Sequence, residues 1–454
     1  MTINDYLQRE ESRFLRELFE LLSIPSISTD PDYGPDVERC ARWLKDHLEQ
    51  MGFSTAEVCP TEGHPIVYAE WLEAGEEAPT VLLYGHYDVQ PPDPLEEWIS
   101  PPFKPEVREE KIFARGATDD KGQFFAHLKG LEAWLETTGG LPVNVKILIE
   151  GEEEVGSPSL APWILENADR LACDAVIISD SSMFAPGIPA ITYGLRGLSY
   201  LELTLEGPDH DLHSGLYGGG VPNPVLELSR MLASLHDEAG RIAIPGFYDA
   251  VRPMDPEERE AFGALPFEDE AFREEIGAEG LKGEEGYTTL ERLWARPTLD
   301  INGIWGGFTG KGAKTVLPAR VHAKLSCRLV PDQDPEVIAE LVKAHLEAIK
   351  PSEVRLKVSF HHGGRPVITD RKGPIVQAAT RAFDRVWDEE TVFIRGGGSI
   401  PVVAHFAEIL GAPTVLMGFG LENDRLHSPN EKLNLENYYA GIQTSAYLWE
   451  ECGK

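Results

Sequence analysis

Between residues 80 and 180 the chain alternates short, β-rich apolar runs with helical stretches, and this alternation restricts its fold more than any other feature. Val81-Leu82-Leu83-Tyr84, Val145-Lys146-Ile147-Leu148-Ile149 and Ala175-Val176-Ile177-Ile178 are continuous apolar-rich runs bounded by turns. Such runs suit strands covered on both faces. Helical patterns at 120–137 and 159–167 lie between them. Strands alternating with helices predict an α/β layered domain with a central, mostly parallel sheet.

Two helices precede this region. Residues 1–23 carry Tyr6, Leu7, Phe14, Leu15, Leu18 and Leu22 at helical spacing with charges between them, and 36–51 form a second helix ended by Gly52. The opening has no basic region leading into an unbroken apolar stretch, so it reads as an amphipathic helix and not as a signal peptide. No run approaches the ~18–20 apolar residues that span a membrane. Cys40, Cys59, Cys173, Cys327 and Cys452 are scattered and include no CxxC pair, which argues against structural disulfides or a thiolate zinc site. A cytoplasmic protein is expected.

The texture changes near Leu195. Residues 198–205 alternate like a strand buried on one side, a helix starts at Asn223, and 321–329 and 354–360 read as strands around a helix at 335–349. The stretch 249–285 is highly acidic, with widely spaced apolar residues, and is expected to be helical. This α+β pattern predicts a second domain, 195–369, inserted into a first made of 1–194 and 370–454.

Charge narrows the function. The chain has 76 Asp and Glu against 41 Lys and Arg, a formal net charge of −35. Phosphates and anionic lipid repel such a surface, so neither nucleic acid nor membrane is an expected partner. Most of the excess reads as solvated surface. The question is which carboxylates gather into a cation site.

The informative residues stand where strands end. Gly85-His86-Tyr87-Asp88 follows the run at 81–84, and residues two apart on extended chain point the same way. Taken alone, His86 and Asp88 read equally as a structural polar pair. Asp119 and Asp120 open a helix, where capping is the plainer reading. Glu150, Glu152, Glu153 and Glu154 end the run at 143–149; an acidic loop is ordinarily solvated, but four carboxylates at the mouth of a buried strand are unusual. Ser179-Asp180-Ser181 ends the run at 175–178, and Leu426-His427-Ser428 follows one at 413–417. Together they put His, Asp, Glu, Asp and His at strand ends of one sheet, where open α/β folds bind ligands. Mixed imidazole and carboxylate donors suit zinc, manganese or cobalt better than calcium. Five ligating residues exceed the three of a single catalytic zinc, which points to two metals sharing a carboxylate, with one acid left as base for the attacking water.

On these motifs the sequence resembles the M20 metallopeptidases, in particular the cytosolic non-specific dipeptidase and carnosinase group, from Ser23-Ile24-Pro25-Ser26-Ile27-Ser28 to the final helix. The resemblance implies the following roles. In 84–90 (YGHYDVQ) His86 is a metal ligand and Asp88 orients it. In 116–122 (GATDDKG) Asp119 bridges the metals and a cis peptide follows it. In 152–157 (EEEVGS) Glu153 is the general base and Glu154 a ligand. Asp180 and His427 complete two sets: His86, Asp119 and Asp180 around one ion, and Asp119, Glu154 and His427 around the other. The inserted domain would be a lid and dimerisation domain. In 211–215 (DLHSG) His213 reaches into the partner's site of a homodimer, and in 326–331 (SCRLVP) Arg328 receives the substrate carboxylate. Thr315, His362 and Ser399 match further substrate contacts. Without the resemblance, His213 is a loop histidine and Arg328 an edge-strand charge.

The implied activity is hydrolysis of dipeptides with a free C-terminal carboxylate, using two zinc or manganese ions, or cobalt. One departure stands out: the animal dipeptidases have Arg-Glu-Gly-Gly-Ser-Ile-Pro where this chain has Arg395-Gly396-Gly397-Gly398-Ser399-Ile400-Pro401. An acid near the substrate amine is thereby replaced by Gly396, which keeps an N-acyl amino acid amidohydrolase as the alternative. A non-catalytic scaffold predicts lost base or ligands, yet each matched position is filled. A metal-buffering protein predicts many weak sites instead of two.

Overall fold

The computed structural model describes residues 1–398 and 400–454. They divide into two compact units: Met1–Tyr193, Thr369–Ile394 and Pro401–Lys454 form one, and Gly194–Ile368 with Arg395–Ile400 form the other. Arg395–Ile400 groups with the second unit, not with the C-terminal segment of the first as the sequence suggested. There the buried Arg395 guanidinium pairs with the buried Glu258 carboxylate.

The first unit is built on strands in the order Thr55–Cys59, Ile66–Trp71, Asn144–Glu150, Thr80–His86, Ala175–Ile178 and Thr414–Met417, with Ala190–Leu195 beside the last, within a nine-stranded sheet among the described residues. The middle four are mutually parallel, and the strands flanking them are antiparallel, so the sheet is mixed around a parallel centre. The short loop from Cys59 to Ile66 permits only a hairpin, which accounts for the antiparallel edge. Alternate residues of each central strand face opposite layers. Val81, Leu83, Val145, Ile147, Ile177 and Val415 join the core built with helices Ile3–Leu22, Gly34–Met51, Lys121–Thr138 and Leu435–Cys452. On the other face Tyr84 meets Phe406 and Tyr68 meets Trp163. Cover on both sides is why these strands read as unbroken apolar runs.

Helix Lys121–Thr138 is buried at every position from Lys121 to Ala133. Its polar side chains are accordingly satisfied: Lys121 donates to the carbonyls of Leu21 and Ile24, and His127 lies between the hydroxyls of Ser445 and Ser179 at 3.0 and 2.6 Å. Burial pushes the His127 imidazole down to about 3. The unfolded chain, near 6.5, therefore binds more protons than the folded one between these values, and stability falls as pH drops below about 6.5. We expect His127→Gln to remove about 1.4 kcal/mol per pH unit from the acid limb of urea stability curves. An unchanged slope between pH 6 and 4 would contradict a neutral buried His127.

The second unit is built on an antiparallel sheet in the order Thr298–Gly306, Arg320–Leu329, Gly197–Glu206, Arg355–Gly364. One face, with Leu201, Leu203, Leu205, Val321, Ala323 and Leu325, packs on residues of helices Pro224–Ala233 and Pro335–Ile349. The expected alternation at 198–205 is thus a strand with one covered face. The acidic stretch forms two short helices, Pro256–Ala264 and Asp269–Glu275, because proline and glycine interrupt it. Among the described residues no helix is long and apolar enough to cross a membrane.

Candidate metal centre

The carboxyl ends of the parallel strands deliver the candidate ligands. His86 is the last residue of Thr80–His86, and Asp180 stands two residues beyond Ala175–Ile178. Glu153 and Glu154 open the 3-10 turn Glu153–Val155 that follows Asn144–Glu150. Asp119 precedes helix Lys121–Thr138, and its bond to Asp120 is cis. His427 lies on the loop after Thr414–Met417 with φ 57°, a left-handed conformation uncommon outside glycine.

These side chains form two tripods. One ligand atom each from His86, Asp119 and Asp180 lies within 4.8 Å of the others, and the same holds for Asp119, Glu154 and His427. Asp119 belongs to both. Its Oδ1 is 3.0 Å from His86 Nε2 and its Oδ2 is 2.9 Å from His427 Nε2, so each oxygen addresses one group. His427 Nε2 is also 3.3 Å from Glu154 Oε2.

Electrostatics single out the same residues. Burial, then the charge of Asp119, lifts Asp180 to about 7 and Glu154 to about 8, against the pull of His86. Burial likewise raises Glu153, with Asp119 and Asp88 adding to it and His86 opposing. The hydrogen bond to Asp119 raises His427 to about 9. Burial alone would lower His86, but its bonds to Asp119 and Asp88 outweigh that and leave it raised. Mutually repelling buried acids beside two imidazoles are a donor set that fits divalent transition ions, since a bound cation reverses the repulsion.

Asp88 does more than orient His86. His86 Nδ1 is 3.1 Å from the Asp88 carbonyl and 3.4 Å from its carboxylate. A carbonyl only accepts, so Nδ1 carries a proton, and Nε2, which faces Asp119, is the nitrogen that would ligate an ion. The carboxylate accepts from the backbone N–H groups of Glu153 and Glu154 at 3.2 and 3.1 Å and from Ser28 Oγ at 2.6 Å. One acid therefore ties His86 to the turn that bears Glu153 and Glu154. Gln90, assigned nothing from the sequence, donates to Glu154 Oε2 at 2.7 Å. Its signal was the two-residue period through His86, Asp88 and Gln90. Asp88→Asn turns an amide toward the N–H groups of that turn, and we expect metal affinity or kcat/KM to fall about 10–100-fold. Wild-type values for both would remove Asp88 from this role.

A third group, Glu17, His47 and Glu132, also has metal-like spacing. Lys129 fills its centre, with Nζ 2.6 Å from Glu17, 2.8 Å from His47 and 2.7 Å from Glu132, so an ammonium takes the cation's place.

The remaining candidates belong to the second unit. His213 pairs with Val316 in a two-residue antiparallel ladder between segments distant in sequence, and Ser214 N donates to Thr315 O at 3.0 Å, which makes His213 and Thr315 exposed neighbours. Arg328 pairs with Leu198, and His362 stacks on Tyr200 at 5.3 Å. Leu198 and Tyr200 alternate with the core residues Leu201 and Leu203, so Arg328 and His362 occupy the face turned away from that unit's core. Ser399 lies outside the described residues.

The comparisons with known proteins agree with this geometry. The chain is 35% identical to the Cys-Gly metallodipeptidase DUG1 of Candida albicans, over 97% of this chain and 94% of that protein. It is 34% identical to the human Beta-Ala-His dipeptidase, over 98% and 91% respectively. The crystal structure of the M20 family metallo-carboxypeptidase Sso-CP2 from Sulfolobus solfataricus matches with a TM-score of 0.85 at 36% identity, covering 97% of this chain and 99% of that one. Residues 82–451 match peptidase family M20/M25/M40, and the chain belongs to that family.

Proposed function

We propose that this chain is a two-metal dipeptidase, using zinc or manganese, whose substrates carry a free C-terminal carboxylate. The observation that carries the reading is Asp119, with one oxygen directed to each tripod. The names of its full-length relatives support dipeptides over N-acyl amino acids. The residues of the two tripods would hold ions that, when bound, would supply the Lewis acidity to activate a water and polarise the scissile carbonyl.

The chain's own groups do the rest. Glu153 accepts the proton of the attacking water and returns it to the departing amine. Its raised affinity for protons suits both halves of that task. Arg328 pairs with the substrate carboxylate in two places, while Thr315, His362 and Ser399 complete the substrate contacts. In a homodimer, His213 of each copy donates to the oxyanion developing in the other copy's site. The second unit then serves as lid and dimerisation domain.

The test uses full-length protein stripped with a chelator and reloaded with zinc, manganese or cobalt. Cys-Gly and β-Ala-His are compared with N-acetylated amino acids. Dipeptides should be cleaved at least about tenfold faster under one of the metals, a difference of some 1.4 kcal/mol in barrier. Faster cleavage of the N-acetyl substrates would favour the amidohydrolase reading. Action in trans has its own test: mixing inactive Glu153→Ala and His213→Ala chains should restore activity, because one site of each mixed dimer is complete. No recovery on mixing would place His213 elsewhere.

A further inference from the structure

We propose that Glu431 is a positioning residue that holds the bridging carboxylate of Asp119 between the two tripods. The inference rests on the two-metal reading above. Glu431 is fully buried, four residues beyond His427, and its carboxylate accepts four hydrogen bonds from the segment leading into Asp119. Oε1 accepts from the backbone N–H groups of Thr118 at 2.9 Å and Asp119 at 3.0 Å. Oε2 accepts from Gly116 N at 3.0 Å and Arg115 Nη1 at 2.6 Å. The Glu431 carbonyl accepts from Ala114 N at 3.3 Å, and Thr118 Oγ1 donates to the carbonyl of the next residue, Lys432, at 2.7 Å.

This pattern decides what Glu431 can do. Each oxygen already faces two N–H donors, so the side chain has no lone pair directed at a metal and is not a ligand. Arg115 offsets its charge in a buried pair, so Glu431 adds little to the repulsion among the site acids. What it does is join two segments distant in sequence: the one that brings Asp119 to both tripods and the one that brings His427 to the second. Backbone N–H groups that converge on one anion lose that convergence when the anion is removed. Glutamine cannot replace it, because whichever way the amide turns, its NH2 faces two N–H donors. Aspartate keeps the charge but is one methylene too short to reach all four.

The experiment is a manganese titration of the stripped full-length chain by calorimetry, with electron paramagnetic resonance of the loaded protein and a thermal melt. For Glu431→Gln and Glu431→Asp we expect one manganese site weakened about 10–100-fold, the range for groups that orient metal ligands. The exchange-coupled spectrum of a metal pair should give way to that of isolated manganese. Variants that bind a coupled pair as tightly as wild type overturn the proposal. So does a loss of thermal stability, or of folding, without a folded variant weakened for metal, since it confines Glu431 to structure. Wild-type protein that takes up no coupled pair defeats the two-metal reading itself, a result distinguishable from wild-type-like variants.

Discussion

Replacing Glu153 by alanine should leave both metal groups able to bind while turnover on dipeptides falls about 10³-fold, within the range for a lost general base. The separation follows from geometry. Glu153 belongs to neither tripod. Its backbone N–H is held by Asp88, and the turn it opens does not depend on its side chain. Deleting its carboxylate leaves every donor of both tripods in place, so the ions should still be retained. Metal analysis after dialysis, with kcat on the same sample, checks both halves. Turnover within threefold of wild type would sink the base assignment, and lost metal would make Glu153 a ligand.

Asp119→Asn should do the opposite and strip the centre. The carboxylate faces His86 with one oxygen and His427 with the other, so both tripods lose an anionic donor in one substitution. Unit charges 4 Å apart at an effective dielectric of 20 interact by about 4 kcal/mol, equivalent to roughly three decades in affinity. The new amide must also turn its NH2 toward one tripod, where it cannot accept or ligate. We expect dialysed Asp119→Asn protein to retain less than about one ion per chain and to show no measurable hydrolysis under conditions where Glu153→Ala stays loaded. A variant that keeps a tightly bound pair would show that Asp119 does not bridge.

The candidate metal centre was largely legible in the sequence because its donors stand at the ends or starts of recognisable elements. An apolar run marks a strand, and the polar residues after it must stand at the sheet's edge, whichever layers cover its faces. Strand ends alone reach His86, Asp180, His427 and the acids of 150–154, and a helix start offers Asp119 beside Asp120; the resemblance singles out Asp119 and Glu154. The pairing of the donors into two tripods came only with the resemblance, because spacing along the chain carries no information about distance across a sheet. Strands Thr55–Cys59 and Ile66–Trp71 went unread: the first is only partly buried and has the weak pattern of a sheet edge. The acidic 249–285 stretch showed the reverse failure, with one helical region expected where two short helices form.

The supporting residues were the least visible. The resemblance makes Asp88 an orienter of His86, yet its carboxylate chiefly caps the Glu153–Glu154 turn. Lys129 gave no sign that it fills a metal-like cluster, and Glu431 gave none that it cradles a loop more than three hundred residues away in sequence. What the sequence determined by itself is the layered α/β core, the α+β insertion and the strand ends and helix start where donors for a cation gather. Those follow from local patterns of two or three and a half residues and from donor chemistry. The tertiary structure alone decided which donors meet, which oxygen of Asp119 serves which imidazole, and which buried charges are spent on holding loops. Each of these depends on contacts between segments whose order along the chain does not constrain their distance in space.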